Sequence, residues 1–303
     1  MAEYSFNALK SNEKAFVAMT SLNVKEFLGL LERFSAAYQT DLHARGKRVD
    51  ETRGRSDGKL ALIEDKLFFI LFYLKTYPLQ EVLAYSFDLP QSVANHWIHR
   101  LCPVLQSALD NMGHKPIRLS SELMERLAEE GQQELIIDGT ERRIQRPVDN
   151  DVQREYYSGK KKVHTVKNNV IVGCADRHIK YLGDTHSGKK HDKKIADEEQ
   201  TQLPEGSVIL RDLGFKGADM GKGVTVIEPK KKPRNKCLTP QEKEENRQIS
   251  ARRVVVEHII SGIKRCRCLK DVYRNLKDDF DDQIMEIACG LHNLRNSMRN
   301  PIY

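Results

Sequence analysis

The chain of 303 residues contains no apolar run near the roughly 20 residues that a membrane span requires. Its longest candidate, Leu67 to Leu74, is closed by Lys75 and Pro78. The first residues, Met-Ala-Glu-Tyr-Ser-Phe-Asn, lack the charged and apolar regions of a signal peptide, so a cytosolic protein with no membrane partner is expected. Cysteine is sparse and scattered. Cys102, Cys174, Cys237, Cys266, Cys268 and Cys289 form no Cys-x-x-Cys pair and no metal-finger spacing. Cys266-Arg-Cys268 has no histidine partner close by, and free thiols are the better reading. Internal repeats and low-complexity tracts are also missing. These absences exclude membrane, disulfide-scaffold, zinc-finger and repeat classes. What is left is a soluble chain with room for about two domains of roughly 150 residues each.

Charge is plentiful and unevenly placed. The net charge of +7 favours a polyanionic partner. Lys160-Lys161-Lys162, Lys189-Lys190 with Lys193-Lys194, and Lys230-Lys231-Lys232 with Arg234 and Lys236 supply the basic runs; acids gather at Glu122 to Glu134 and Asp278 to Asp282. A solvated charged face accounts for any one run. Several runs flanking the same acids suit a substrate with a phosphate backbone.

Those acids are Asp138, Asp212 and Glu257. Asp138 ends the apolar run Glu134-Leu-Ile-Ile-Asp138, and Asp212 ends Ser207-Val-Ile-Leu-Arg-Asp212. Both read as strand ends. Glu257 lies in a helical segment, Arg253-Val-Val-Val-Glu257-His-Ile-Ile-Ser-Gly-Ile-Lys264. At 3.6 residues per turn Arg253, Glu257 and Lys264 fall nearly on one line, with Val254, Val255, Ile259, Ile260 and Ile263 packing the rest. Hard oxygen ligands of this kind suit a pair of magnesium ions about 4 Å apart, the apparatus of phosphodiester chemistry. A surface ion pair between Arg253 and Glu257 is the plainer account of that helix. His191 and Asp192 offer a further ligand or hydrogen bond, or merely a helix N-terminus.

The N-terminal half reads as helical. Val24 to Tyr38 carries apolar residues at helical spacing, and Arg45 to Gly58 is a basic linker, either a tether or a DNA-tracking segment. Helices are expected at Glu64 to Lys75, Leu79 to Phe87 and Gln91 to Leu101, the last with Pro90 at its start. Its polar face presents Gln91, Ser92, Asn95, His96, His99 and Arg100, side chains suited to base edges and phosphates in a helix-turn-helix. A plain helical bundle with a polar face remains open. After an acidic helix at Ser121 to Glu130, strands are expected at Leu135 to Asp138, Val163 to Cys174, Ile179 to Gly183, Val208 to Asp212 and Gly223 to Glu228. Pro229 to Glu245 reads as irregular, and helix follows from Gln248 towards Asn300. The order implies an α/β layer with a mixed sheet.

Ordered blocks along nearly the whole chain resemble a known family. They are Phe72-Tyr-Leu-Lys-Thr-Tyr-Pro78, Asp138-Gly-Thr-Glu141, Tyr156-Tyr-Ser-Gly-Lys-Lys-Lys162 with His164-Thr-Val-Lys167, and His191-Asp-Lys-Lys-Ile195. Asp212-Leu-Gly-Phe-Lys-Gly217, Pro229-Lys-Lys-Lys-Pro233 and Arg253-Val-Val-Val-Glu257-His complete the set. The pattern resembles bacterial insertion-sequence transposases of the DDE superfamily, in the branch similar to the Harbinger transposases.

The resemblance implies an α/β fold, a ribonuclease-H-like mixed sheet with flanking helices, behind an all-α helix-turn-helix region. It divides the chain into residues 1–58 (N-terminal helix and basic linker), 59–115 (helix-turn-helix) and 116–303 (catalytic). Asp138, Asp212 and Glu257 would hold two magnesium ions, or manganese in their place. Gln91, Ser92, Asn95, Arg100, Lys160, Lys161, Lys162, Arg253 and Lys264 would contact DNA. The implied partners are double-stranded element ends and target DNA in the bacterial nucleoid, held by a dimer or larger assembly. A related signature, Tyr-x-x-Arg-x-x-x-Glu followed after six residues by Lys, is met at Arg253, Glu257 and Lys264, with Ser250 where the tyrosine would stand. That departure touches end handling and leaves the metal ligands intact. Two rivals stand beside this reading: a catalytically silent or domesticated DNA-binding protein, and a metal-dependent nuclease that cuts without joining.

Overall fold

The computed structural model describes residues 4–46, 60–131, 134–234 and 237–300, so most of the basic linker and Lys236 lie outside the described residues. Six helices come first: α1 (Phe6–Leu9), α2 (Glu13–Thr20), α3 (Val24–Ala44), α4 (Ile63–Thr76), α5 (Gln80–Ser86) and α6 (Gln91–Asn111). The helix α3 starts on a capping box: the Asn23 side chain accepts from the Glu26 N–H while the Glu26 carboxylate accepts from the Asn23 N–H. Buried residues run through most of α4, including Leu67, Phe68, Phe69, Ile70 and Leu71, which explains its continuous apolar sequence. The helix α6 continues ten residues past Leu101 and carries Pro103 in its interior. Buried Val104, Leu105, Ala108 and Leu109 hold the far half in place.

An acidic helix α7 (Ser120–Glu130) leads into β1 (Glu134–Arg143), α8 (Asn150–Tyr156), β2 (Tyr157–Ser158), β3 (Val163–Gly173), β4 (Ile179–Leu182) and β5 (His186–Ser187). Next come α9 (Asp192–Glu198), β6 (Val208–Leu210), a 3-10 turn (Leu213–Phe215) and β7 (Thr225–Ile227). The chain closes on α10 (Pro240–Ile263), α11 (Arg267–Lys270) and α12 (Phe280–Arg299). The strands form one mixed sheet. β3 pairs antiparallel with β1 and β4, while β6 runs parallel to β1 and β7 parallel to β6. The order across it is β4-β3-β1-β6-β7, with β2 and β5 as short additions to β3.

Both faces of this sheet are covered. Ile136, Val170, Val172 and Leu210 turn to a large core shared with α10, α12 and the N-terminal helices. Leu135, Ile137, Ile171 and Ile209 turn to a smaller one with Leu123, Leu127 and Ala196 from α7 and α9. That is why β3 is buried continuously from Thr165 to Gly173 although its sequence alternates. Its buried Asn168 is satisfied on both sides: the amide donates to the Gly183 carbonyl at 2.9 Å and accepts from Arg142 at 2.8 Å. The expected α/β architecture with a helical N-terminal region is observed. Among the described residues no helix is long and apolar enough to cross a membrane.

Candidate active site

Three elements bring chemistry together. Asp138 is on β1, Asp212 follows β6 and starts the 3-10 turn, and Arg253 lies on α10. Side chains alternate along β1, so Asp138 shares the face of Ile136, toward α10. Arg253 meets both acids there: its Nη1 donates to Asp212 Oδ1 at 3.4 Å, and its Nη2 stands 4.0 Å from Asp138 Oδ2. The Arg253 Nε is buried and has no hydrogen-bond partner among the described residues. Asp138 Oδ1 accepts from the Gly139 N–H at 2.8 Å. Burial pushes the Asp138 carboxyl above the usual carboxylate range and Asp212 adds to the rise, while the Gly139 N–H, Arg253 and Lys160 oppose it. Two acids of one sign are thus drawn to a single guanidinium beside the lysine turn after β2.

The same helix marks β1 a second time. The ammonium of Lys264 donates to the Glu141 carbonyl at 3.0 Å. Burial first, then Lys161, pushes it below its ordinary range. Lys160, Lys161 and Lys162 are exposed in the turn between β2 and β3, and the first two act electrostatically on Asp138 and Lys264. Glu257, one turn beyond Arg253, is exposed on α10. Among the described residues no three His, Cys, Asp or Glu side chains are grouped closely enough to hold one ion. The structure therefore brings Asp138 and Asp212 together around Arg253 and leaves Glu257 outside that cluster. The sequence places Asp138 at a strand end, but β1 runs on to Arg143 because β3 pairs with it throughout, so Asp138 is mid-strand and only Asp212 follows the end of its strand. The pair itself fits a hard divalent cation: two carboxylates from neighbouring parallel strands, one of them partly desolvated. The packing of α10 differs in detail from the sequence expectation, since Val256, Ile259 and Ile263 are buried while Val254 is exposed.

Asp192 belongs to the opposite face of β1. It lies in the first turn of α9, which His191 caps by accepting from the Lys193 N–H. Lys167, itself buried, donates to Asp192 Oδ1 at 3.0 Å. A Cβ placed on Gly139 would lie 3.1 Å from that oxygen, and one on Gly214 would lie 3.3 Å from Oδ2. Glycines follow both aspartates where this carboxylate backs them. The tight fit of these two α-carbons against Asp192 is a signal that sequence alone leaves unread.

In the helical region α5 and α6 meet around Asp88, whose backbone is left-handed at φ 51°. Ser92 is exposed, while Gln91 and Asn95 are half-buried and hydrogen-bonded to Gln80 of α5. Arg100 is engaged within the protein: its guanidinium donates to Asp41 at 3.1 Å and lies over the rings of Tyr38 and Trp97. The other basic runs are partly neutralised. Lys190 and Lys194 pair with Glu198, Lys193 pairs with Asp197, and Lys230 lies 2.8 Å from Glu245; Lys231 and Lys232 are exposed.

Comparison with known proteins adds three findings. Residues 137–293 match a family described as DDE superfamily endonuclease, and residues 58–110 match the helix-turn-helix of DDE superfamily endonuclease. A curated relative, described as a probable transposase for insertion sequence element IS702 from Microchaete diplosiphon, is 26% identical over 83% of this chain and 88% of its own length. No solved structure matches.

Proposed function

The chain belongs to the DDE superfamily endonucleases, and from that premise we propose that it is a DNA transposase, cutting element ends and joining them to target DNA. The meeting of Asp138 and Asp212 at Arg253 carries this reading. Asp138 and Asp212 would hold two magnesium ions, or manganese, with Glu257 brought in from α10 as the third ligand. When bound, such a pair lowers the pKa of an attacking oxygen and stabilises the leaving one.

The chain's own residues supply the rest. Arg253 and Lys264 flank the acids along α10 and hold phosphate oxygens on either side of the bond to be cut. Lys160, Lys161 and Lys162 steer the DNA backbone to the same place. Water displaces the 3′-oxygen bridge at phosphorus, breaking one P–O bond and freeing a 3′-hydroxyl. That hydroxyl then attacks a target phosphorus, and one P–O bond forms for each broken.

Residues 59–115, with Gln91, Ser92 and Asn95 as the DNA-facing set, recognise the element ends; Arg100, expected in that set, is held by Asp41 instead and supports the fold. Residues 116–303 cut, and residues 1–58 connect. Two ends joined in one event need a dimer or larger assembly, acting in the bacterial cytoplasm at the nucleoid. Incubating the protein with its element ends, a target plasmid and magnesium tests the reading, with joined products expected. Cutting without joining would replace transposase by nuclease. Tight end binding with neither activity would leave a silent DNA-binding protein.

A further inference from the structure

A cavity of about 730 Å3 opens where the end of α4 meets α10 and α11, walled by Lys75, Lys264, Arg265, Arg267, Lys270 and Glu257. Five cations thus face one acid. Among the described residues only Arg267 of the five forms an ion pair, with Asp271 at 3.0 Å. Lys75 donates instead to the Arg265 carbonyl at 3.2 Å, and Lys264 to the Glu141 carbonyl. These partners are neutral, so beyond Glu257 and the Arg267–Asp271 pair the cavity keeps an excess of positive charge. The Lys75 ammonium is pushed below its usual range by burial and further by Arg265, Arg295 and Arg267. Arg265, Arg267 and Lys270 are exposed, but Lys75 and Lys264 are half-buried, and bringing like charges beside them is unfavourable unless an anion joins them.

The position indicates which anion. Lys75 stands in the last turn of α4, within the helix-turn-helix match. Arg265, Arg267 and Lys270 follow the helix that carries Arg253 and Glu257. Anything filling the recess touches α4 of the helix-turn-helix region and α10 at once. A small anion would neutralise one or two of these groups; a run of backbone phosphates meets all of them.

We propose that this cavity is a phosphodiester cradle, gripping the backbone of the DNA strand that passes from α6 to the acids. The proposal rests on the reading of the chain as a DNA-cutting enzyme. It adds Lys75, Arg265 and Lys270 to the residues that hold DNA.

The test compares full-length wild type with the triple variant Lys75→Gln/Arg265→Gln/Lys270→Gln, measuring affinity for a mixed-sequence duplex across a salt series. Each neutralised phosphate contributes about 0.9 to the slope of log affinity against log salt, so the slope should fall by about 3. A charge-preserving triple, Lys75→Arg/Arg265→Lys/Lys270→Arg, should restore it, which a merely structural role would not produce. A control triple, Lys14→Gln/Lys25→Gln/Arg33→Gln, removes three exposed cations of α2 and α3 outside the cavity and should change the slope less. Equal slopes for the cavity triple and wild type, while wild type still cuts DNA with magnesium, would overturn the cradle alone. Wild type that neither cuts nor binds duplex DNA would overturn the cradle together with the function it rests on.

Discussion

Arg253 Nη1 lies 3.4 Å from Asp212 Oδ1 across a sequence separation of 41 residues, and the same guanidinium reaches toward Asp138. A single cation on α10 thereby ties the middle of β1 to the residue that follows β6. Replacing Asp212 by Asn should abolish magnesium-dependent cutting and leave duplex binding within about 1 kcal/mol of wild type, because the basic surface is untouched. Cutting assays beside gel-shift titrations check both halves. Residual cutting by the variant would remove Asp212 from the chemistry.

Gly139→Ala should leave the fold intact and slow cutting, by less than the roughly 100-fold that a full 1 Å misplacement costs. Its new methyl group would meet Asp192 Oδ1 at 3.1 Å, so either that side chain or β1 must give by a few tenths of an ångström beside Asp138. Thermal unfolding together with cutting rates decides it. A variant as active as wild type would show that Asp192 does not set the position of β1.

Arg100→Ala should cost more stability than Ser92→Ala, by about 1–3 kcal/mol, because it leaves Asp41 with Arg45 alone and removes the guanidinium from the Tyr38 and Trp97 rings. Asn95→Ala should instead weaken end recognition by about 1–3 kcal/mol if that side chain reads a base. Denaturant unfolding and competition binding against scrambled ends separate the two. Equal stability of Arg100→Ala and Ser92→Ala would contradict the clamp on α3.

Glu199 is pushed up from 4.5 to about 8, by burial first and Asp184 second. Lys190 donates to Nδ1 of His186, so the other ring nitrogen carries the proton that is given to Glu199 Oε1 at 3.2 Å. The folded state binds the Glu199 proton more tightly than the unfolded chain does. Its stabilising contribution is therefore complete below pH 4.5 and is lost as pH rises through about 8. Glu199→Gln should flatten that decline, so the variant gains on wild type between those limits. Parallel melting curves from pH 5 upward would refute this if the two proteins ran at a constant offset.

Much of this was legible in the sequence, for reasons that can be stated. Asp212 ends an apolar run and follows β6 as that pattern implies, whereas Asp138 ends its apolar run in mid-strand, because pairing with β3 carries β1 on through polar residues to Arg143. The long α4 announces itself by unbroken apolar character. The start of α10 carried a signal that composition hid: Thr239-Pro-Gln-Glu242 forms a capping box with proline in the first turn, so helix begins inside the charged stretch rather than at Gln248. The helices α1 and α2 are too short for periodicity to reveal, and rest on side-chain caps from Ser5 and Asn12. Arg100 reads as outward-facing because α6 is amphipathic about its own axis. Only the tertiary approach of α3 turns it inward. The closeness of Asp192 to Gly139 and Gly214 is likewise a fact of packing, fixed by Lys167 on β3 and invisible to spacing.

The large core does not stop at the edge of the helix-turn-helix. Leu105 and Leu109 of α6 belong to it together with Ile284, Leu291 and Leu294 of α12 and Val256 of α10. Such a body has no hinge between its reading and its cutting parts. The number of base pairs separating the sequence it recognises from the bond it severs is then a dimension of the protein, as fixed as the gap between the jaws of a gauge. Elements whose ends are lengthened or shortened by a base pair would present the wrong phosphate.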